Sequence, residues 1–507
     1  MRNLINSSSQ TQKIIWLLAI LGGLFATRVM YIQHGWINND STLYFEIAKR
    51  FSQGEYRAGW TLFEWPFYPF LIACLHKLTH LNLHVCAQIL TVIFFSLTTY
   101  SLSKIIDLMN GNTITIICGI ILLFGNTYIS GDVLGMLLRD QGFWAFFLLS
   151  LFFFIRYTSK LEISDAVYWQ ISILIAILFR IEAVGYAALL PVTLLFQCTT
   201  WKHKLKQLLY CYVFFLLLII TLIIVAYLNP SFNIPLGRIK EIVDLISKDN
   251  PQSISNALMV KINIFGNQVL GSYLDDYAML GLLLALTGIV IIKCIKITGV
   301  SGLLLVLSKK DSFINIEKKF KIILIACVMI ALLNAYIIII RSFVLSSRYV
   351  VALCFIAIIF AAFHFSAMLN DWKSKNRILN LQTLVLLLIT VITIYGIIRN
   401  ITSKHKDYNF EQDAVAWVKQ NIDSKLRIHY DSARLRYYAD APWLGRTDDD
   451  NTVLLDSIIF ENKTDCIVAR VEHNQSEKFH RLDSLQNYRL LKVFEGKSKT
   501  KILILCK

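Results

Sequence analysis

Asp40, Asp140 and Glu182 supply carboxylates, and Arg139, Arg180 and Arg348 supply guanidiniums, in a chain otherwise dominated by apolar runs. A carboxylate at a dry site can take a proton from an attacking hydroxyl. A forked guanidinium can hold a phosphate through two hydrogen bonds at once. Carboxylates beside such arginines also suit a divalent metal ion. These residues fall in four short stretches: "NNDSTLYFEIAKRF" around Asp40, "SGDVLGMLLRDQGFW" around Arg139 and Asp140, "FRIEA" around Arg180 and Glu182, and "RSFVLSSRYV" around Arg348. A plainer reading stands beside the chemical one for each. Asp140 and Glu182 could simply pair with arginines at helix ends, and Asp40 or Ser41 could cap a helix.

The elements that must position them are membrane spans. Of 507 residues, 56% are hydrophobic and 17% charged, and mean hydropathy is +0.56. An apolar run of about 20 residues crosses a bilayer core, and about eleven such runs are readable. They are 14–32, 84–103, 113–130, 141–157, 166–181, 183–198, 208–228, 277–296, 320–340, 349–369 and 379–398. The fold class predicted is an all-α polytopic membrane protein. Arg2 and Lys13 precede the first run and no small-residue cleavage site follows, which reads as a retained signal anchor. The stretch 166–198 is too long for one span and is interrupted by Arg180-Ile181-Glu182. Two short helices with a charged turn between them avoid the cost of charge at the bilayer centre.

Placing the N-terminus in the cytoplasm puts Lys104, Arg156 with Lys160, "WKHKLK" at 201–206, the basic stretch 293–321 and "DWKSKNR" at 371–377 inside, as the positive-inside rule asks. The net charge of +16 has the same explanation and carries no expectation of nucleic acid. The outer loops are then 33–83, 131–140, 180–182, 229–276 and 341–348. "PFYPFLIACLHKLTH" at 66–80 reads as an interfacial helix. The predicted domains are a transmembrane part, 1–399, and a soluble α/β tail, 400–507, on the periplasmic or extracellular side. In the tail "NFEQDAVAWVKQNI" has helical spacing. "LRIHY", "CIVARV", "YRLLKVFEG" and "TKILILCK" read as strands, the last two as a hairpin. Cys466 and Cys506 lie on two of these strands, where a disulfide and a pair of core thiols are both open. The ten cysteines show no zinc spacing. The sequons at 6–8 and 462–464 carry no inference.

This threading brings Asp40, Glu46, Glu55, Glu64, Asp132, Arg139, Asp140, Arg180, Glu182, Arg341 and Arg348 to one membrane face, beside a first loop rich in aromatic residues. Trp36, Tyr56, Trp60, Trp65 and Tyr68 suit sugar rings and equally an interfacial belt. Convergence of ionisable groups at one face marks a site.

The chain resembles the GT-C membrane glycosyltransferases, in the branch of the lipid A aminoarabinose transferase and the protein O-mannosyltransferases, and bacterial lipopolysaccharide glycosyltransferases within it. The residues that carry the resemblance are Asp40, Tyr44, Ala48 and Gly54, then "WPFYP" at 65–69, with "LLRD" at 137–140, "FRIEA" at 179–183 and "SRYV" at 347–350 as later landmarks. It covers about residues 1–370. The chain has Asn39-Asp40 where some relatives carry an Asp-Glu pair.

The resemblance implies transfer of a sugar from a polyprenyl-phosphate-linked donor to an envelope acceptor, at the outer face of the cytoplasmic (inner) membrane, with inversion. In that reading Asp40 is the general base, and Arg139, Arg180 and Arg348 bind the donor phosphate. Asp140, Glu182, Tyr44, Tyr68 and Tyr349 support the site, or the carboxylates hold a divalent metal ion. The partners implied are the polyprenyl-phosphate sugar, a glycolipid, polysaccharide or protein acceptor, and the bilayer, with no nucleic acid. Two other readings stay open: a transporter or flippase for a lipid-linked glycan, and a glycan ligase or polymerase. A transporter would place ionisable residues near the midplane and repeat its halves. No repeat is visible, and His364 is the near-midplane candidate, better read as a core histidine.

Overall fold

The computed structural model describes residues 9–196, 200–228, 251–271, 273–308, 313, 316–374, 381–403, 409–445, 464–473, 482, 485, 487–496 and 499–507. The sequon at 6–8, residues 229–250 of the long outer loop, the end of the run 183–198, residues 309–310 and residues 375–377 lie outside the described residues. So do two residues of the sequon at 462–464.

Apolar runs become helices because in lipid the backbone must satisfy its own hydrogen bonds. In chain order the helices are α1 (Ser9–Tyr31), α2 (Asn39–Ser52), α3 (Tyr56–Leu62), α4 (Phe67–Thr79), α5 (Leu83–Leu108) and α6 (Thr113–Gly125). They continue with α7 (Asp140–Lys160), α8 (Ile163–Phe179), α9 (Ala183–Leu189), α10 (Trp201–Leu228), α11 (Pro251–Ile264) and α12 (Ala278–Val306). Last come α13 (Lys318–Ser342), α14 (Val351–Ser374), α15 (Leu381–Ile401), α16 (Phe410–Asn421) and α17 (Ala433–Ala439).

Among the described residues eight helices are long and apolar enough to cross a membrane: α1, α5, α7, α10, α12, α13, α14 and α15. Helix α6 and the π and 3-10 turns Thr127–Met136 form a pair bent by 45°, which is a ninth if the two are counted as one span. The break follows from Asn126, whose side-chain carbonyl accepts from the Ile129 N–H at 2.7 Å and so starts a new turn. The stretches 166–181 and 183–198, expected as two spans, are helical as α8 and as α9 with the 3-10 turn Leu190–Phe196, separated at Arg180–Glu182 as the charges required, but neither is among the helices long enough to span. Both are short: the 17 residues of α8 reach about 25 Å, against about 30 Å of hydrocarbon. The apolar stretch 66–80 is the 13-residue α4, too short to span.

The chain divides into two compact units. One comprises 1–25, 91–132 and 139–400; the other comprises 26–90, 133–138 and 401–507. In the first, α7 packs along α8, and α14 is surrounded by α6, α12 and α13. The apolar window of α14 is 83% buried and that of α10 6%. Helix α10 therefore keeps its leucines and isoleucines outward, as a lipid-facing helix does.

In the second unit α2 packs on α4, α3 and α17. The tail forms a four-stranded sheet, β1 (Ile428–Tyr430), β2 (Cys466–Val471), β3 (Arg489–Glu495) and β4 (Lys501–Cys506), in the order β1-β2-β4-β3. Strands β1 and β2 are parallel, and β3-β4 is the antiparallel hairpin. Period-2 alternation sends Val468, Ile502 and Ile504 to one face, against Ala414, Val415 and Val418 of α16, and Ile467, Ala469, Leu503 and Leu505 to the other. Register sets Cys466 opposite Cys506, and the two form a disulfide. A buried carboxylate, Glu411, is held by Arg434 at 2.6 Å and Arg470 at 3.1 Å.

Candidate active site

The arginines and their carboxylates come together in the first unit. Helix α7 begins at Asp140 and α8 ends at Phe179, so Asp140 and Arg180 stand at the ends of neighbouring helices. Gly142 lets those helices close up: a Cβ there would stand 2.2 Å from the Phe179 ring. Arg180 donates through Nη1 to Asp140. Through Nε and Nη2 it donates to both oxygens of Glu182, each at 3.2 Å. All three side chains are buried, at 4% exposure for Arg180, 2% for Asp140 and 8% for Glu182. The Asn334 amide donates to the Glu182 carbonyl at 3.0 Å and fixes the turn.

Arg348 sits in the 3-10 turn Ser347–Val350 that leads into α14. Its Nη1 is 3.7 Å from the second Asp140 oxygen, and its side chain is 29% exposed. Tyr349 lies under the Arg180 guanidinium at 4.8 Å, and Phe143 at 6.0 Å. Burial pushes the Glu182 carboxyl up. Arg180, by charge and hydrogen bond, outweighs that with Arg139 behind it and holds the group at about 2.

Arg180 is thus gripped by carboxylates on two sides, and Arg348 is the more accessible guanidinium. The plain pairing of arginine with carboxylate at helix ends is what Arg180, Asp140 and Glu182 do. Tyr128, in the π-helical turn, was not singled out by the sequence. It is a buried residue within electrostatic reach of Asp140, Arg348 and Arg180. No local pattern marks it; it arrives through the break at Asn126.

Asp40, Tyr44 and Tyr68 belong to the second unit. Asn38 is the N-cap of α2, its side chain accepting from the Asp40 N–H at 2.9 Å. The alternative reading, in which Asp40 or Ser41 caps the helix, is therefore set aside. Ser41 is buried and donates instead to the carbonyls of Met136 at 2.6 Å and Leu137 at 3.2 Å. Asp40 lies half-buried in the first turn, where a negative charge is favoured by the helix dipole. Tyr44 and Tyr68 are buried and meet edge to face at 5.6 Å. They pack the first loop, and Trp65 is buried with them.

Among the described residues no three His, Cys, Asp or Glu side chains converge. Asp140 and Glu182 are both engaged by Arg180, so this donor set does not make a divalent-ion site. His364 is buried in α14, as the core reading expects.

Neither a family model nor a curated protein sequence matches the chain. Two solved structures are among those similar to it. One is the archaeal oligosaccharyltransferase AglB from Archaeoglobus fulgidus, in complex with an inhibitory peptide and a dolichol-phosphate. It shares 12% identity at a TM-score of 0.46, over 87% of this chain and 61% of that one. The chain thus spans about three-fifths of that protein's length. The other is ArnT from Cupriavidus metallidurans bound to undecaprenyl phosphate, at 12% identity and a TM-score of 0.44, over 96% of this chain and 97% of that one. At these scores neither likeness bears on the chemistry of the site, which stands on its own residues.

Proposed function

We propose that the chain is a membrane glycosyltransferase that moves a sugar from a polyprenyl-phosphate carrier to an envelope acceptor at the outer face of the cytoplasmic membrane. The observation that carries this reading is the arginine–carboxylate cluster of Asp140, Arg180, Glu182 and Arg348, in a chain of apolar spans. A lipid carrying a phosphate is the ligand that a bilayer delivers to arginines at helix ends.

Asp40 takes the proton of the acceptor hydroxyl as its oxygen attacks the anomeric carbon. The bond from that carbon to the phosphate oxygen breaks, the configuration inverts, and the polyprenyl phosphate leaves as an anion that needs no proton. Arg348 meets the charge that builds on the departing phosphate, assisted by Arg139. Arg180 is the positioning residue: Asp140 and Glu182 lock it, and Asp140 in turn orients Arg348. Because Asn38 is the N-cap, the Asp40 carboxylate is not required to start α2. Tyr44 and Tyr68 brace the loop, and Tyr349 braces Arg180.

Transfer by the purified protein, with a polyprenyl-phosphate sugar as donor, tests the reading. Comparing the masses of envelope glycolipids between a deletion strain and its parent identifies the acceptor. A deletion that leaves every envelope glycan unchanged, with no transfer by the purified protein, would sink it.

A further inference from the structure

The second unit holds a cleft that this mechanism does not use. It has a volume of about 570 Å³, and its lining includes Phe45, Glu46 and Lys49 of α2, Gln53, Asn82 before α5, and Trp443 of the tail. At 100° per residue, Thr42, Phe45, Glu46 and Lys49 run down one side of α2, while Asp40, Tyr44, Ile47 and Phe51 run down the other. The cleft therefore lies on the face of α2 away from Asp40.

Its chemistry is that of a neutral, hydroxyl-rich ligand. The charged groups lining the cleft, Lys49, Arg436, Glu46 and Asp440, balance in charge. Arg436 is buried and donates to the carbonyls of Tyr430 at 2.9 Å, Asp431 at 3.2 Å and Gly445 at 3.1 Å. Glu46 accepts from Arg50 at 2.8 Å, and Lys49 stands 3.7 Å from Asp440. The lining thus carries no net charge that would select an anion over a neutral ligand. Gln53 offers amide donors and an acceptor. Asn82 uses its carbonyl to cap Val85 at 2.8 Å, which leaves its amide N–H groups as donors. One wall is rigid: Phe45 stacks on His84 at 5.7 Å and on Tyr437 at 5.3 Å, and the Tyr437 hydroxyl meets His84 Nδ1 at 3.4 Å. Trp443 lines the cleft half-buried. Planar rings beside mixed amide donors and acceptors, in a pocket of small-molecule size, fit a sugar face and its hydroxyls.

We propose that this cleft binds a neutral oligosaccharide and serves as a subsite for the glycan part of the acceptor; the second clause rests on the transferase reading above. The full chain in nanodiscs, free of glycosidic detergent, is titrated with maltotriose and with chitotriose by saturation-transfer NMR. Binding of at least one is expected. Trp443→Ala should weaken it roughly three- to tenfold, the loss of one ring contact, and Trp443→Phe should restore part. Asp40→Asn should bind the sugar like the parent. The cleft proposal is overturned if neither sugar binds, if Trp443→Ala leaves affinity unchanged, or if a phosphorylated or sulfated sugar binds more tightly than its neutral form. Binding intact in a protein that transfers nothing would overturn the transferase reading alone.

Discussion

Replacing Arg180 with Met removes the cation that holds both Asp140 and Glu182. Those carboxylates are 2% and 8% exposed, so water reaches neither well. Arg348 stands 3.7 Å from Asp140, too far for a short hydrogen bond, and is 29% exposed. Breaking a buried pair by deleting one partner costs about 3–5 kcal/mol, because the other charge stays buried. Here one deletion exposes two carboxylates to that penalty. Arg180→Met should therefore accumulate poorly in the membrane and elute as aggregate in detergent. Arg348→Ala breaks a partly exposed contact worth about 0–1 kcal/mol to stability. It should yield normal amounts of monodisperse protein, while losing a phosphate hydrogen bond of about 1.5–3 kcal/mol, roughly ten- to a hundredfold in transfer. Neutralising the whole cluster, with Arg180→Met, Asp140→Asn and Glu182→Gln together, should bring back much of the protein but not the activity. Fluorescence-detected size exclusion and a transfer assay on the same preparations separate these effects. If Arg180→Met alone is as abundant and as heat-stable as the parent, the argument from buried charge is wrong. If Arg348→Ala transfers at the parent rate, that arginine is outside the site.

Asp40→Asn should lower transfer ~10²-fold or more at normal protein level, since it removes the base and Asn38 still caps α2. A purified Asn variant working at the parent rate would end that assignment, whereas Asn38→Ala should cost about 1 kcal/mol of local stability. The positive-inside rule predicts a tail on the outer side, so an alkaline phosphatase fused after Ile401 should be active; activity from a cytoplasm-only reporter there would reverse the topology. Cys466 and Cys506 should resist alkylation until reduced. Closing a separation of 40 residues, their disulfide should stabilise the tail by about 4 kcal/mol in the chain-entropy account, and an unchanged melting point in Cys466→Ser would refute it.

Most of the membrane helices were legible in the sequence, because a run of apolar residues has one way to satisfy its backbone in lipid, but of about eleven expected spans eight or nine are long enough among the described residues. The sequence by itself determined the break at Arg180–Glu182, since a charge at bilayer centre is too costly, and the tail strands, since period-2 alternation is local. It also brought Asp140, Arg180, Glu182 and Arg348 to one face by threading alone. It did not determine which of those groups pair. That depended on Gly142 admitting the Phe179 ring, a contact between residues on two different helices, which turned Arg180 into a locked partner and left Arg348 more open. The sequence left capping of α2 to Asp40 or Ser41, and only the structure showed Asn38 in that place and Ser41 bonded to Met136. The disulfide was undecided because it depends on strand register, which is set by packing on both faces of the sheet. The cleft lined by Lys49, Asn82 and Trp443 was invisible for the same reason. Its residues come from segments nearly 400 positions apart, and no local pattern can announce a surface that exists only after the tail has folded onto α2.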